Sequence, residues 1–171
     1  MTVNTKIYNE IKSQISQYSN SELLVVTKNR SKIDIENLIV SGAKLFGENR
    51  VQEAKKKFTK ELFEKYELKL HLIGPLQTNK AEDALSLFDT IQTIDRYKLV
   101  DVIAKLKTKK KFKTKHFYIQ INIGEEEQKS GISAKDLPDL YNYSLEKELN
   151  IIGLMCIPPL INDPSIYFKK M

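Results

Sequence analysis

Phe117-Tyr118-Ile119-Gln120-Ile121-Asn122-Ile123, closed by Gly124, and Ile151-Ile152-Gly153-Leu154-Met155-Cys156-Ile157, closed by Pro158-Pro159, are nearly continuous apolar runs. Such runs suit parallel strands buried on both faces, whereas a half-exposed strand alternates apolar and polar residues. Between them, 133–145 reads as a helix with Ser133 or Asp136 near its start. Working outward, the same alternation recurs. An amphipathic helix carries Ile7, Ile11, Ile15 and Tyr18 at helical spacing, and strand one follows as Leu23-Leu24-Val25-Val26-Thr27. A helix over 34–43 presents Ile35, Leu38 and Ile39, and Leu45-Phe46 is strand two. From Arg50 to about Lys65 a third helix aligns Val51, Ala54, Phe58 and Leu62 on one stripe. Strand three is 68–73, stopped by Gly74-Pro75, and a helix over 79–87 starts on Asn79 as its N-cap. Strand four is 90–94, followed by a helix over 97–106. After strand six a last helix spans 163–170, with Pro164 at its first position. One helix followed by six strand–helix alternations specifies an α/β fold, either an open doubly wound sheet or a (β/α)8 barrel. No linker or low-complexity segment interrupts residues 1–171, so a single domain is expected.

Composition narrows the classes. The chain has 171 residues, 41% of them hydrophobic and 29% charged, in the range of a globular protein with a sizeable core. No apolar run is long enough to cross a bilayer, and Met1-Thr2-Val3-Asn4-Thr5-Lys6 lacks the apolar core of a secretory signal, so the cytoplasm is the expected compartment. The one cysteine, Cys156, excludes an internal disulfide, and no Cys/His group has metal-site spacing. Net charge is +6, and of the 28 basic residues only Arg30, Arg50 and Arg96 are arginine. Planar bidentate recognition of phosphates or bases favours arginine. The densest basic run, Lys105 to Lys115, has only Phe112 inside it and reads as a solvated helix end and loop, not a nucleic-acid surface.

Polar residues with chemical potential stand where strands end: Lys28, Glu48-Asn49, Gly74, Asp95, Asn122 with Gly124, and Pro158. In a barrel those ends form one rim, and active sites lie there. Lys28 is the sharpest of them. A lysine at the mouth of a buried strand is partly desolvated, its amine more easily neutral and nucleophilic toward an aldehyde. Plainer readings stand beside this one. Lys28 is one of many lysines, Glu48 and Arg50 pair at the rim, and Gly47 and Gly74 serve tight strand-to-helix turns. His71 is a packed, hydrogen-bonded strand residue, Met155 is core, and Cys156 is a buried, inert thiol.

Three segments carry a resemblance: Val26-Thr27-Lys28, Phe46-Gly47-Glu48-Asn49-Arg50-Val51-Gln52-Glu53, and His71-Leu72-Ile73-Gly74-Pro75-Leu76-Gln77-Thr78-Asn79-Lys80. In this order and spacing they resemble the YggS/PROSC family, the pyridoxal phosphate homeostasis proteins. Ile91-Gln92-Thr93-Ile94-Asp95, Gln120-Ile121-Asn122-Ile123 with Glu125-Glu126-Glu127-Gln128-Lys129-Ser130-Gly131, and Gly153-Leu154-Met155-Cys156-Ile157-Pro158-Pro159 extend the likeness to nearly everything from Leu23 onward. The resemblance implies the pyridoxal 5'-phosphate (PLP)-binding (β/α)8 TIM barrel also seen in the N-terminal domain of alanine racemase. It implies PLP held as a Schiff base on Lys28, Asn49 beside the cofactor ring, and Ile73, Gly74, Thr93 and Met155 lining the site. It implies PLP homeostasis without turnover, with PLP-dependent apo-enzymes as partners, no metal, and no catalytic residue of its own.

The likeness has a limit. Strands one to six start between Leu23 and Ile151, which accounts for about six of the eight β/α units of such a barrel. The strands that would bring a phosphate cup and an arginine facing the pyridine nitrogen have no counterpart among these residues. The expectation is a truncated reading of a longer gene, or completion by a second chain, with strands one and six as unpaired edges. Three other functions compete with PLP holding. An amino-acid racemase-like enzyme would need a placed second acid or base. A Schiff-base aldolase barrel would need only the lysine. A polyanion-binding module would use Lys107 to Lys113.

Overall fold

A computed structural model describes residues 4–161 and 163–171. Its elements follow the expected alternation: α1 (Thr5–Ile15), β1 (Val25–Val26), α2 (Lys32–Val40), β2 (Leu45–Glu48), α3 (Val51–Lys57), α4 (Lys60–Tyr66), β3 (Lys69–Leu72), α5 (Ala81–Leu87), β4 (Thr90–Ile94), α6 (Tyr97–Lys107), β5 (His116–Ile121), α7 (Leu137–Glu146), β6 (Ile151–Cys156) and α8 (Ser165–Lys170). Short 3-10 turns, Thr78–Lys80 and Ala134–Asp136, lead into α5 and α7. The six strands lie in one sheet in chain order, β1-β2-β3-β4-β5-β6. The β1–β2, β4–β5 and β5–β6 pairs are parallel. The α/β class is therefore the observed one, with six β/α units. The chain divides into two compact units, one running to His71 and the other from Leu72.

In the first unit, Ile35, Leu38 and Ile39 of α2 are buried with Phe46 of β2, Val51 and Ala54 of α3, and Leu70 of β3. The helix expected from Arg50 to about Lys65 is instead two helices. Phe58 leaves the helical backbone after α3 and buries its ring 5.5 Å from Phe46 and 6.1 Å from Phe63. Aromatic burial of this kind outweighs the small helix propensity of the segment. α2 begins earlier than Asp34. Ser31 caps it, accepting from the Asp34 N–H, while the Asp34 carboxylate accepts from the Ser31 N–H, a reciprocal box that stabilises the first turn. α1 forms as expected, but its stripe is not a core face. Ile7 and Ile11 are exposed, Tyr8 is the buried residue, and Tyr18 lies beyond the helix and is exposed. Strand one is also shorter than its apolar run, with two residues in ladder register: Val25 opposite Phe46 and Val26 opposite Gly47. Gly47 thus sits inside β2 and not in a turn.

In the second unit the core is built from Leu85 and Phe88, Ile91 and Ile94 of β4, Leu99 and Ile103 of α6, Phe117 and Ile119 of β5, and Leu140 of α7. Buried Thr114 closes the end of α5: its hydroxyl donates to the Phe88 and Leu85 carbonyls and its N–H to the Leu85 carbonyl. The next amide, Lys115, donates to the Asp89 carbonyl, which delivers the chain into β5 beside β4. Three lysines of the basic run are bonded to neighbouring segments. Lys107 donates to the Glu148 carbonyl, Lys110 pairs with Glu82, and Lys113 pairs with Asp89 and donates to the Leu87 carbonyl. The run is a helix end and loop, as read from the sequence.

β5 fits the expectation of a buried strand; β6 does not. Its residues are half-buried and Ile152 is exposed, because its one strand partner in the sheet order is β5. The β5–β6 register slips between Phe117 and Tyr118, which places Tyr118 opposite Gly153. A Cβ on Gly153 would come within 2.8 Å of the Tyr118 ring, so the glycine provides the space the ring occupies. Two smaller expectations also change. Asn79 lies inside the 3-10 turn and does not cap α5, whose N-cap is Lys80 with no side-chain bond. Pro164 is the N-cap of α8, one residue before the helix, and the Asp163 carboxylate accepts from the Ser165 N–H.

The loop after β5 is tied to itself. The Asn122 side chain donates to the Glu126 carbonyl (2.8 Å) and accepts from the Glu126 N–H, while across the loop base the Asn122 N–H donates to the Ile132 carbonyl and the Ile132 N–H to the Gln120 carbonyl. Gly131 closes this loop at φ +124°, where an added Cβ would lie 2.5 Å from the Asn122 nitrogen. Gly131→Ala combines backbone strain with a clash against main chain and is expected to lower stability by more than about 1 kcal/mol. A urea melt with an unchanged midpoint would contradict that.

Candidate functional site

The strand ends of the first unit hold Lys28 and Asn49. Thr27 follows β1, and its N–H donates to the Gly47 carbonyl at 3.0 Å, prolonging the β1–β2 pairing by one bond. The chain then turns. Lys28 and Asn29 form the turn, closed by the Arg30 N–H donating to the Thr27 carbonyl at 3.1 Å. Asn29 takes the left-handed conformation, φ 58°, which asparagine tolerates better than most residues. Lys28 is exposed at the crest of this turn. The desolvation expected of it does not occur, because β1 is only two residues long and Val26, just before Thr27, is itself exposed. Asn49 stands half-buried at the corresponding end of β2, directly after Glu48. The two sequence-predicted residues of this unit therefore share the ends of neighbouring parallel strands.

Beneath the turn lies a polar cluster. Glu48 is fully buried at the last position of β2. Its Oε1 accepts from the Thr27 hydroxyl at 2.6 Å and from Lys57 Nζ at 2.9 Å. Lys57, the last residue of α3 and 7% exposed, also donates to the Thr27 carbonyl at 2.7 Å and to Glu53 Oε1 at 2.6 Å. Glu53 Oε1 takes the Asn29 N–H at 2.6 Å. An ammonium has three protons, and Lys57 places them on three acceptors from three elements. The second Glu48 oxygen, Oε2, is buried with no hydrogen-bond partner among the described residues. The hydrogen bond from Lys57, joined by that from Asn29, holds the Glu53 carboxyl below the usual carboxylate range against the opposing effect of partial burial.

The expected Glu48–Arg50 rim pairing gives way to this cluster: Glu48 points into the interior toward Lys57, while Arg50 is exposed at the start of α3. Sequence reasoning missed Lys57 and Glu53. A signal was present in their i, i+4 spacing on α3 and their place one helix after the Glu48 strand, but a lysine among many gives no reason to expect burial.

The other predicted residues, Ile73, Gly74, Thr93 and Met155, belong to the second unit. Thr93, fully buried on β4, donates its hydroxyl to the Gly74 carbonyl at 2.9 Å, so these two are joined. Gly74 is buried and Ile73 half-buried in the segment leaving β3. Arg96, just after β4, donates to the Leu76 carbonyl at 2.6 Å and pairs with Asp95, which fixes the same segment from its far side. Met155 is half-buried on β6 opposite Gln120, two strands from β4. Its neighbour Cys156 is half-buried, and burial pushes its thiol pKa up, in keeping with an inert role. His71 is half-buried on β3, as expected of a strand residue.

Lys28 and Asn49 fit the aldehyde-bearing end of a pyridoxal ring. The lysine presents a primary amine in the open, on a turn whose flanking residues are held by hydrogen bonds. The asparagine amide at the adjacent strand end offers both a donor and an acceptor. Among the described residues no group of His, Cys, Asp and Glu is arranged to hold a metal ion.

No family model matches the chain. It is 34% identical over 174 residues to a pyridoxal phosphate homeostasis protein of Haemophilus influenzae, covering 99% of this chain and 73% of that protein. It is 38% identical over 134 residues to one of Aquifex aeolicus, covering 76% of this chain. The chain spans 58% of the length of the Aquifex protein. Among solved structures, PipY of Synechococcus elongatus PCC7942 without PLP matches with a TM-score of 0.81 at 28% identity, over 97% of this chain and 80% of PipY. The same protein with PLP bound matches with a TM-score of 0.72, over 95% and 80%. Alanine racemase from Bacillus anthracis matches at 19% identity with a TM-score of 0.68, over 96% of this chain and 42% of the racemase, a likeness of fold alone.

Two stability measurements follow from the cluster. Lys57→Met leaves the buried Glu48 carboxylate without its cation, and breaking a buried pair in this way costs about 3–5 kcal/mol. The Lys57→Met/Glu48→Gln double variant should recover part of the loss in chemical denaturation. Separately, because Glu53 has a lowered pKa in the fold, its stabilisation is complete above its unfolded-state value and fades as pH falls through the folded value. The stability gap between wild type and Glu53→Gln should therefore be present at neutral pH and shrink in acid; a gap that widens in acid would contradict the assignment.

Proposed function

The chain belongs to the family of pyridoxal phosphate homeostasis proteins, and we propose that it holds pyridoxal 5'-phosphate through Lys28 and keeps it available without converting a substrate. The observation that carries this reading is the placement of Lys28: an exposed amine on a tethered turn at the end of β1, with Asn49 at the end of the adjacent strand. When bound, PLP supplies an aldehyde that a lysine amine can take up reversibly, together with an electron-withdrawing ring. The protein's part is to present the Lys28 amine in a fixed place and to offer the Asn49 amide to the ring. By the resemblance, Ile73, Gly74, Thr93 and Met155, each in the second unit, are proposed as further PLP contacts.

The family name and the PLP-bound form of PipY support the cofactor. A carrier role also agrees with the chemistry at hand. A racemase needs a second placed acid or base besides the cofactor lysine, and the cluster beside Lys28 is committed to holding the turn. In this reading PLP-dependent apo-enzymes receive the cofactor. A cytoplasmic location goes with that role, and no helix among the described residues is long and apolar enough to cross a membrane.

Titration with PLP should give the visible absorption band of a lysine adduct, and borohydride reduction followed by peptide mapping should place the label on Lys28. In Lys28→Ala the band is expected to vanish; a band of equal strength would transfer the role to another lysine. Incubation of the PLP-loaded protein with single-enantiomer alanine, or another amino acid, should leave the optical rotation unchanged. Steady loss of rotation would instead make the protein a racemase.

A further inference from the structure

Lys28 is exposed, yet the residues on either side of it are not free. Thr27, fully buried, is held at four points: its N–H on the Gly47 carbonyl, its hydroxyl on Glu48, and its carbonyl under both the Arg30 N–H and Lys57 Nζ. Asn29, in the left-handed conformation, is held by its N–H on Glu53. Lys57 is common to both anchors. It bonds the Thr27 carbonyl directly, and it bonds the Glu53 oxygen that receives Asn29. Its remaining proton goes to Glu48, which holds the Thr27 hydroxyl. All of these groups belong to the first unit.

We infer that Lys57 is a positioning residue for Lys28: a buried ammonium at the end of α3 that fixes both flanks of the turn from which the Lys28 amine projects. This rests on the reading that Lys28 takes up the PLP aldehyde. The physical reason is the geometry of a long side chain. Lys28 has four rotatable methylene links, so the place its amine can reach is set by the position and direction of its Cα–Cβ bond. Charge-assisted bonds in a water-poor pocket resist displacement more than neutral ones at the surface. A shift of about 1 Å in a reacting group costs on the order of 100-fold in rate. The cluster therefore acts on the speed and yield of bond formation at Lys28 without touching the ligand.

Two variants and three readouts test this. Lys57→Met removes the ammonium but keeps an unbranched side chain only one atom shorter. Glu53→Ala, on the partly exposed face of α3, removes the Asn29 anchor together with one of the three Lys57 bonds, and spares the Lys57 bonds to Glu48 and to the Thr27 carbonyl. Without PLP, hydrogen exchange of the Asn29 amide should be faster by at least tenfold in both variants, while the amides of β4 and β5 in the second unit are unchanged in Glu53→Ala. With saturating PLP, the rate of appearance of the Lys28 adduct band should fall at least tenfold in Lys57→Met and by a smaller factor in Glu53→Ala. The borohydride label should spread from Lys28 to other lysines. A role confined to stability would lower the melting temperature but leave the adduct rate and label position of the folded fraction at wild-type values, and that outcome would overturn the inference. If wild-type protein forms no Lys28-dependent band, the reading beneath the inference fails, and the exchange of Asn29 still decides whether Lys57 orders the turn. Should Lys57→Met fail to fold, Glu53→Ala carries the same test, and wild-type exchange and adduct rate in it would count against the proposal.

Discussion

A buried ammonium must place every one of its protons, and in this protein that requirement organises the first three strand and helix ends of the chain. Lys57 reaches the interior at the end of α3 and finds acceptors on the residue after β1, the last residue of β2 and its own helix one turn back. Moving any of these would strand a charge away from water, at a cost comparable to a large part of a domain's stability. Replacement by arginine would not satisfy the same set: a planar guanidinium directs its donors in a fork, whereas these acceptors approach one nitrogen from three sides. The short β1, with two ladder residues, is compensated by this arrangement. Where strand hydrogen bonds are few, side-chain bonds to Thr27 continue the work of the ladder.

The second unit solves the same problem of strand ends with different groups. Thr93 holds the Gly74 carbonyl, Arg96 the Leu76 carbonyl, and Thr114 the carbonyls at the end of α5. Each is a donor supplied by one β/α unit to the free carbonyls of the unit before it. The loop after β5 goes further and satisfies itself through Asn122. Polar residues collect at strand ends partly because the backbone there leaves unpaired groups that must find partners in a chain of this packing density. Only some of them stay open to solvent, and burial with hydrogen-bond partners separates Thr27, Thr93 and Thr114 from the exposed Lys28 and the half-buried Asn49.

Much of this was legible in the sequence. The order of helices and strands follows from hydrophobic periodicity, and β4 falls on the expected residues, because Thr90 to Ile94 is short, rich in β-branched residues and bounded by Asp89 and Asp95. What was not legible depends on contacts distant in the chain. The break at Phe58 is decided by Phe46, the loose burial of β6 by the sheet partner it lacks, and the exposure of Lys28 by the brevity of β1. Lys57 is the plainest case. Within Lys55-Lys56-Lys57, only the i, i+4 spacing from Glu53 and the place at the helix end set the buried third lysine apart from the two exposed before it. The motif Phe46 to Glu53 drew attention to the end of β2, where Asn49 stands, while the role of Glu48 beneath the turn required the structure.

The abundance of lysine gives this arrangement a consequence for selectivity. Of 28 basic residues, all but Arg30, Arg50 and Arg96 are lysines, and most present their amines to solvent. A reactive aldehyde in such company has many competing amines of similar intrinsic nucleophilicity, so exposure alone discriminates among none of them. What sets one lysine apart is a low entropy of its root: a turn already frozen before the aldehyde arrives gives up less freedom when the bond forms. The same economy protects Lys57, whose protons are all engaged and whose burial keeps any aldehyde out. Two lysines 29 residues apart thus divide the work, one unreactive so that the other can be found.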